Sequence, residues 1–308
     1  MLHEIVDRLM PVADGLGVRF EPGAWRCSLY NNHGAVSSSV VAFLFGAGDG
    51  VPRVIVKLSR QTDTVTREEA ALRRLSALVP GRVPRPYLGG ELRGVAFLAM
   101  EGLDAEAISV SRFEDRFPDV LAALLELHGA VSEAPGDVGD LEREVLETLE
   151  QLESRSAASD LGLAALCSRM REQLHGLARL GLPRVPQHGD FSLGNVLVRR
   201  GGGVVVGDWE DYGAVRLPGY DLVALFATLP GRDVLRHPRL RRLLSDSLRR
   251  YAMHLKVDER WLPVLVPLHL AQVLLSCEAK GRSDPARAAL SHLATLARGG
   301  GVGDALSG

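Results

Sequence analysis

The run VVAFLF at 40–45 is followed by GAGDGVP and then by RVIVKL at 53–58. Short β-branched and aromatic runs on either side of a Gly/Asp/Pro cluster predict two strands joined by a turn. Trp25, Cys27 and Leu29 alternate with polar neighbours and predict an earlier strand, and VAFLAM at 95–100 predicts a later, buried one. Between these strands the period changes. In TVTREEAALRRLSALV, 64–79, Leu72, Leu75 and Val79 recur at helical spacing. Pro84 and Pro86 are then expected to break the chain. Ahead of all of this, MLHEIVDRLMPVADGLG mixes Glu4, Asp7 and Arg8 with apolar residues, which predicts an amphipathic helix rather than a signal peptide.

After EGLD, 101–104, the pattern becomes mostly helical. Segments 117–131, 141–156 and 163–180 carry helical periodicity, and the chain is again helix-rich from about residue 220. Two apolar triplets, VLV (196–198) and VVV (204–206), flank RRGGG and predict a hairpin. The tail GGGVGDALSG is expected to fray. The chain therefore predicts an α+β protein with a small antiparallel-sheet lobe, 1–102, and a larger, mostly helical lobe, 103–308. The most apolar window, WLPVLVPLHLAQVLLS at 261–276, is interrupted by Pro263, Pro267, His269 and Gln272. It predicts a buried core helix, not a membrane span.

Composition narrows the function. A formal net charge of −2 over 308 residues does not suit a nucleic-acid binder. Cys27, Cys167 and Cys277 show no paired spacing, so neither a disulfide framework nor a zinc site is expected. They are expected to be small buried residues in a reducing, cytoplasmic protein. The oligomeric state is not legible.

Chemistry concentrates in QHGDFSLGNVLV, 187–198. Asp190 and Asn195 precede the first strand of the predicted hairpin, and Asp208, in GDWED, follows the second. A hairpin brings its outer ends together, so the three side chains are expected to converge. Two carboxylates and a carboxamide oxygen are hard ligands that suit Mg²⁺, with phosphate and water completing the shell. Lys57 ends the apolar run VIVK, where an isolated ammonium would be costly. Its expected partner is Glu68, which shares the inward helical face with Leu72 and Leu75, whereas Glu69 is turned away by about 100°. Glu210 and Asp211, just after Trp209, are within reach of a metal or an acceptor, and for Asp211 a solvated face is expected.

Taken in order, VIVK, REEAALRRL, HGDFSLGN and GDWE resemble the aminoglycoside phosphotransferase and choline kinase family, small-molecule relatives of the protein kinases. The resemblance spans about residues 24–228 and implies a bilobal protein-kinase-like fold that uses ATP and Mg²⁺. On it, Lys57 matches the phosphate-binding lysine and Glu68 its partner. Asp190 matches the catalytic base, and Asn195 and Asp208 match the metal ligands. AMEGL, 99–103, matches the hinge, so Met100, Glu101, Gly102 and Leu103 are expected around the adenine. His188 is expected to brace the loop, with His128 packed beneath it. Asp221 is expected to be an N-cap or a loop brace.

The departures from protein kinases also carry information. Gly189 and Ser192 replace the Arg and Lys of that pattern, and few residues separate Asp208 from the apolar helix that follows Asp221. These features point to a small hydroxyl-bearing acceptor: aminoglycoside-, amino-alcohol- or sugar-like. No GxGxxG precedes Lys57. In its place NNHGAVSSSVV, 31–41, allows two readings. Gly34 with Ser37, Ser38 and Ser39 cradles phosphate, or the segment is an ordinary Ser-rich turn. Arg232, Arg236, Arg239, Arg241, Arg242, Arg249 and Arg250 predict a solvated basic face. Were that patch to border the cleft, it would favour an anionic or neutral acceptor. The alternative from another class is a non-catalytic nucleotide-binding sensor or scaffold.

Overall fold

The computed structural model describes residues 1–13, 25–31, 39–135, 138–156, 162–177, 182–231, 234 and 237–298. Gly34, Ser37 and Ser38, with most of the 31–41 turn, lie outside the described residues, as do Arg232, Arg236 and the tail. The chain divides into two compact units: Met1–Ala123 with Gly194–Tyr212, and Leu124–Leu193 with Gly213–Gly308.

The first unit, numbered in chain order, opens with α1 (Leu2–Ala13), β1 (Arg26–Asn31), β2 (Val40–Phe45), β3 (Val54–Ser59) and α2 (Thr62–Leu78). Next come β4 (Pro86–Leu92), β5 (Val95–Glu101), β6 (Ala105–Ala107) and the start of α3 (Phe113–Val131). Strands β1 to β5 form one antiparallel sheet in the order β1-β2-β3-β5-β4. Strand alternation sorts β3 between two environments. Val54, Val56 and Leu58 enter a core with Ile5, Val6 and Leu9 of α1 and Phe97 of β5. Lys57, one position out of phase, belongs to the opposite face. The helix α2 is built of strong helix formers, buries Val65, Glu68, Ala71, Leu72 and Leu75, and packs on β3, β4 and β5.

Two expectations are corrected here. Pro86 does not break the chain but opens β4, an edge strand; the first position of an edge strand is where a residue without an N–H is tolerated. Cys27 is exposed, unlike the buried Cys167 and Cys277. It lies on β1, the other edge strand, whose residues 26–30 are all exposed.

The first unit also holds the predicted hairpin. β9 (Val196–Arg199) and β10 (Val204–Val206) pair antiparallel with Val196 opposite Val206, and β6 pairs with β9.

The second unit is helical: the end of α3, α4 (Val138–Ser156), α5 (Leu163–Leu177), α6 (Tyr220–Ala227), α7 (Pro238–Leu255), α8 (Leu262–Ala279) and α9 (Ser283–Arg298). A small sheet of β7 (Glu133–Pro135) and β8 (Pro183–Arg184) completes it. Every residue of α6 is buried. The segment Glu259–Ala279 is long and apolar enough to cross a bilayer by length and composition. In this fold Leu265, Val266, Leu268 and Leu270 of α8 are buried, and the helix packs against α6 and α9. On α7, Arg239, Arg242, Arg249 and Arg250 are exposed, as a solvated basic face requires.

Candidate active site

In the first unit, Lys57 Nζ lies 2.9 Å from Glu68 Oε2, the pair expected from helical phase. The same ammonium donates to Asp208 Oδ1 at 2.7 Å and to Glu210 Oε2 at 2.8 Å. Glu210 was within reach on sequence grounds, but nothing in its spacing singled it out. Burial alone would lower the Lys57 ammonium; the charges of Glu68, Asp208 and Glu210 outweigh it and hold the group above its ordinary value. Burial pushes the Glu68 carboxyl up; Lys57 opposes that push, while Asp208 and Glu210 add to it.

Local backbone explains how residues so distant in sequence meet. The Gly207 N–H donates to the Asn195 carbonyl at 2.9 Å, closing the hairpin one step beyond its strands. This brings Asn195 beside Asp208. Asp208 itself adopts φ 62°, the left-handed region that Asp tolerates better than most residues. Trp209 then anchors the turn. Its indole N–H donates to the Val206 carbonyl at 2.8 Å, and its backbone N–H donates to Glu68 Oε1 at 3.2 Å. Glu68 thus bridges the hairpin end and Lys57.

The donor set fits Mg²⁺. Glu68, Asp208 and Glu210 bring carboxylate oxygens within 4.8 Å of one another, and all are hard ligands. Glu68 is enclosed, but the Asp208 and Glu210 side chains keep 41% and 27% of their surface exposed and so retain lone pairs to offer. Three carboxylates gathered on one ammonium also leave negative charge that a divalent cation would balance.

Met100 and Leu103 of AMEGL, the segment expected around the adenine, are buried. The Glu101 N–H is engaged by the Arg85 carbonyl at 2.8 Å, and the Gly102 N–H by the Arg53 carbonyl at 3.0 Å. Neither is left to meet an adenine. A Cβ on Gly102 would stand 2.0 Å from the Pro52 carbonyl oxygen, so only glycine lets these backbones pass this closely. Ser39, directly ahead of β2, is half-buried.

Asp190 belongs to the second unit. Its loop hangs on Asp221, in the first turn of α6 and fully buried. Asp221 Oδ2 accepts from the His188 N–H at 2.6 Å, and Oδ1 accepts from the Gly189 N–H at 3.1 Å. Gly189 has φ 87°, a conformation that the bulkier Arg of the protein-kinase pattern would rarely adopt. The Asp221 N–H donates to Gln187 Oε1 at 3.1 Å. His128 Nε2 lies 3.0 Å from Asp221 Oδ2, and its Nδ1 lies 2.7 Å from the Tyr251 hydroxyl. His188 Nδ1 accepts from the Asp190 N–H at 3.2 Å. Of the two readings of Asp221, the brace is the one found, and both histidines are bracing groups.

The Asp190 carboxylate points to a partner that no spacing predicted. Arg282 Nη1 donates to Oδ1 at 2.6 Å, Arg282 Nη2 donates to Oδ2 at 2.7 Å, and Lys280 Nζ is 3.7 Å from Oδ2. Burial alone would raise the Asp190 carboxyl; the Arg282 hydrogen bonds and the charges of Lys280 and Arg282 hold it below its ordinary value.

Burial would likewise raise Asp221, but hydrogen bonding and charge from His128, with His188, set it below the usual carboxyl value of 3.8. A depressed carboxyl contributes stability above its unfolded value and loses it as pH falls through the folded one. Asp221→Asn is therefore expected to cost about 3 kcal/mol at neutral pH, within the range for a broken buried ionic hydrogen-bond network. The gap to wild type should narrow below the usual value of 3.8. Urea unfolding across pH measures both; an equally stable variant at pH 7 would refute the brace.

A family model described as "Phosphotransferase enzyme family" matches residues 33–262. No curated protein matches the sequence significantly. Among solved structures, choline kinase LicA from Streptococcus pneumoniae is similar at 15% identity and TM-score 0.58, over 95% of this chain and 99% of that one. A thermostable mutant of aminoglycoside phosphotransferase APH(4)-Ia, in ternary complex with ADP and hygromycin B, is similar at 16% identity and TM-score 0.57. The match covers 94% of this chain and 97% of that one. A Plasmodium vivax ethanolamine kinase is similar at 14% identity and TM-score 0.53, over 89% of this chain and 81% of that one. At these identities the likeness is one of fold, a mixed α+β kinase-like fold.

Proposed function

The chain belongs to the phosphotransferase enzyme family, and on that premise we propose that it transfers the γ-phosphoryl of ATP to a hydroxyl of a small acceptor. The observation that carries the reading is the gathering of Lys57, Glu68, Asp208 and Glu210 although 153 positions separate Lys57 from Glu210. A buried ammonium held by carboxylates is a device for aiming charge at phosphates, because phosphoryl transfer depends mostly on positioning and charge neutralisation.

Lys57 holds the non-transferred phosphates, and Glu68 keeps the ammonium in place. Asn195 and Asp208, with Glu210 close by, are the residues that would hold Mg²⁺. Mg²⁺ bound there supplies neutralisation of phosphate charge. Asp190 orients the acceptor hydroxyl and takes its proton as the acceptor oxygen bonds to Pγ. The bond from Pγ to the β-bridging oxygen breaks, and ADP leaves with that electron pair. With the Glu101 and Gly102 N–H groups engaged, the segment AMEGL offers adenine the apolar side chains of Met100 and Leu103. The similarity in fold to kinases of choline, ethanolamine and an aminoglycoside supports a small-molecule acceptor.

The test is ADP formation with Mg²⁺ and ATP, first with water and then with hydroxyl compounds as acceptors. Asp208→Ala is expected to lower Mg²⁺-dependent turnover by about 10²–10³, the scale of one lost charge-stabilising group. A protein that ATP protects from thermal unfolding, yet that forms no ADP with any acceptor, would instead be the binding-only sensor.

A further inference from the structure

In the second unit two basic side chains, Arg282 and Lys280, converge on the carboxylate read above as the general base. They come from the turn between α8 and α9. Its backbone is tightly tied: the Lys280 N–H donates to Ser276 O at 3.0 Å, Gly281 N–H to Glu278 O at 3.0 Å, and Arg282 N–H to Cys277 O at 2.7 Å. The Arg282 carbonyl then accepts from the Ala286 N–H at 3.2 Å, opening α9. A fixed backbone thus delivers two long cationic side chains. Their heads remain partly in solvent, with 42% of the Arg282 side chain and 24% of the Lys280 side chain exposed.

The guanidinium spans both carboxylate oxygens of Asp190. A base so engaged is poorly placed to work. The hydroxyl must reach a carboxylate lone pair, and the fork occupies both oxygens; a base held below its ordinary value also has little drive to take a proton. Something must take the guanidinium in exchange. A cationic acceptor would be repelled by Arg282 and Lys280, and a neutral one would leave Arg282 on Asp190. An anion can replace Asp190 as the partner of the fork, because carboxylates and phosphates match its bidentate geometry.

Resting on the reading of Asp190 as the base, we propose that the acceptor carries a carboxylate or phosphate group near its reactive hydroxyl, and that Arg282, assisted by Lys280, binds it. Binding then releases Asp190 to work as a base only when the correct acceptor is present. This reading puts the enzyme among kinases of hydroxy acids or sugar phosphates.

The experiment uses acceptors matched in skeleton and different in charge: glycerol with glycerate and glycerol 3-phosphate, and glucose with gluconate, glucose 6-phosphate and glucosamine. Binding to the full-length protein is read by titration calorimetry, and ADP release is read with Mg²⁺ and ATP. Anionic members are expected to bind at least about tenfold more tightly than their neutral counterparts, with the cation weakest. Arg282→Gln should abolish that preference, whereas Arg282→Lys, which keeps the charge without the fork, should keep part of it. A merely structural arginine would damage neutral and anionic binding alike. Preference for glucosamine, or no preference by charge, overturns the inference. So does an Arg282→Gln protein that turns over every acceptor faster, because Arg282 would then be only a latch on Asp190. Mg²⁺-dependent ADP release separates the two levels: release with acceptors whatever their charge sinks the acceptor proposal alone, and no release with any acceptor, anionic, neutral or cationic, sinks the phosphotransfer reading itself.

Discussion

Asp190→Asn is expected to lower turnover by about 10²–10⁴ while leaving ATP affinity near wild type, the signature of a lost general base. The asparagine keeps the shape and can still accept from Arg282 through one oxygen, so the braced loop should survive. His188, Gly189 and Asp221 hold the loop through backbone donors rather than through the Asp190 side chain. Steady-state kinetics alongside nucleotide titration checks the split, and turnover within a few-fold of wild type would remove Asp190 from the chemistry. The pH profile adds a sign. Arg282 holds the Asp190 carboxyl of the free protein below its ordinary value, so the acid limb of the wild-type kcat/KM profile for the acceptor, which reports the free enzyme, should lie below the usual carboxylate range. In Arg282→Gln, where burial is no longer offset by that arginine, the limb should move to higher pH.

Lys57→Met is expected to damage both stability and function, and the two effects are separable. The Lys57 side chain is 8% exposed and the Glu68 side chain 1%, so removing the ammonium strands a carboxylate with little access to water. The loss should be about 3–5 kcal/mol, the range for breaking a buried pair by truncating one partner. Urea unfolding measures it. Replacing both partners removes the buried uncompensated charge but leaves the Trp209 N–H without its acceptor, so Lys57→Met combined with Glu68→Leu should regain part of the stability. It should not regain Mg²⁺–ATP affinity or turnover, because nothing is left to hold the phosphates. A double variant that recovered activity would show the pair to be scaffolding alone.

Much of the fold was legible because its signals are local. β2 spans the VVAFLF run, 40–45, since β-branched and aromatic residues between turn formers leave little else to form. The inward phase of Glu68 could be counted from Leu72 and Leu75, and the hairpin from its two valine-rich triplets. What failed was also local evidence, read without neighbours. Pro86 looked like a break because a proline has no ladder donor. It is tolerated because β4 lies at the edge of the sheet, and edge position is a property of strand order, not of composition. Cys27 looked like a buried small residue for the same reason: its exposure follows from β1 being the opposite edge.

The candidate site divides along the same line. By itself the sequence determined the Lys57–Glu68 pair and the joining of the Asn195 backbone to the turn at Asp208, because each depends on a helical period, a strand alternation or a hairpin, which are short-range geometries; the family was legible from the resemblance of its ordered motifs. Only the tertiary structure decided that Glu210 also reaches Lys57, that Asp221 holds the backbone before Asp190, and that Arg282 occupies the Asp190 carboxylate. Arg282 lies 92 positions from Asp190 on the turn after α8. No periodicity connects such residues; the packing of α8 and α9 does. Packing therefore places the charges on Asp190, while local pattern places those around Lys57.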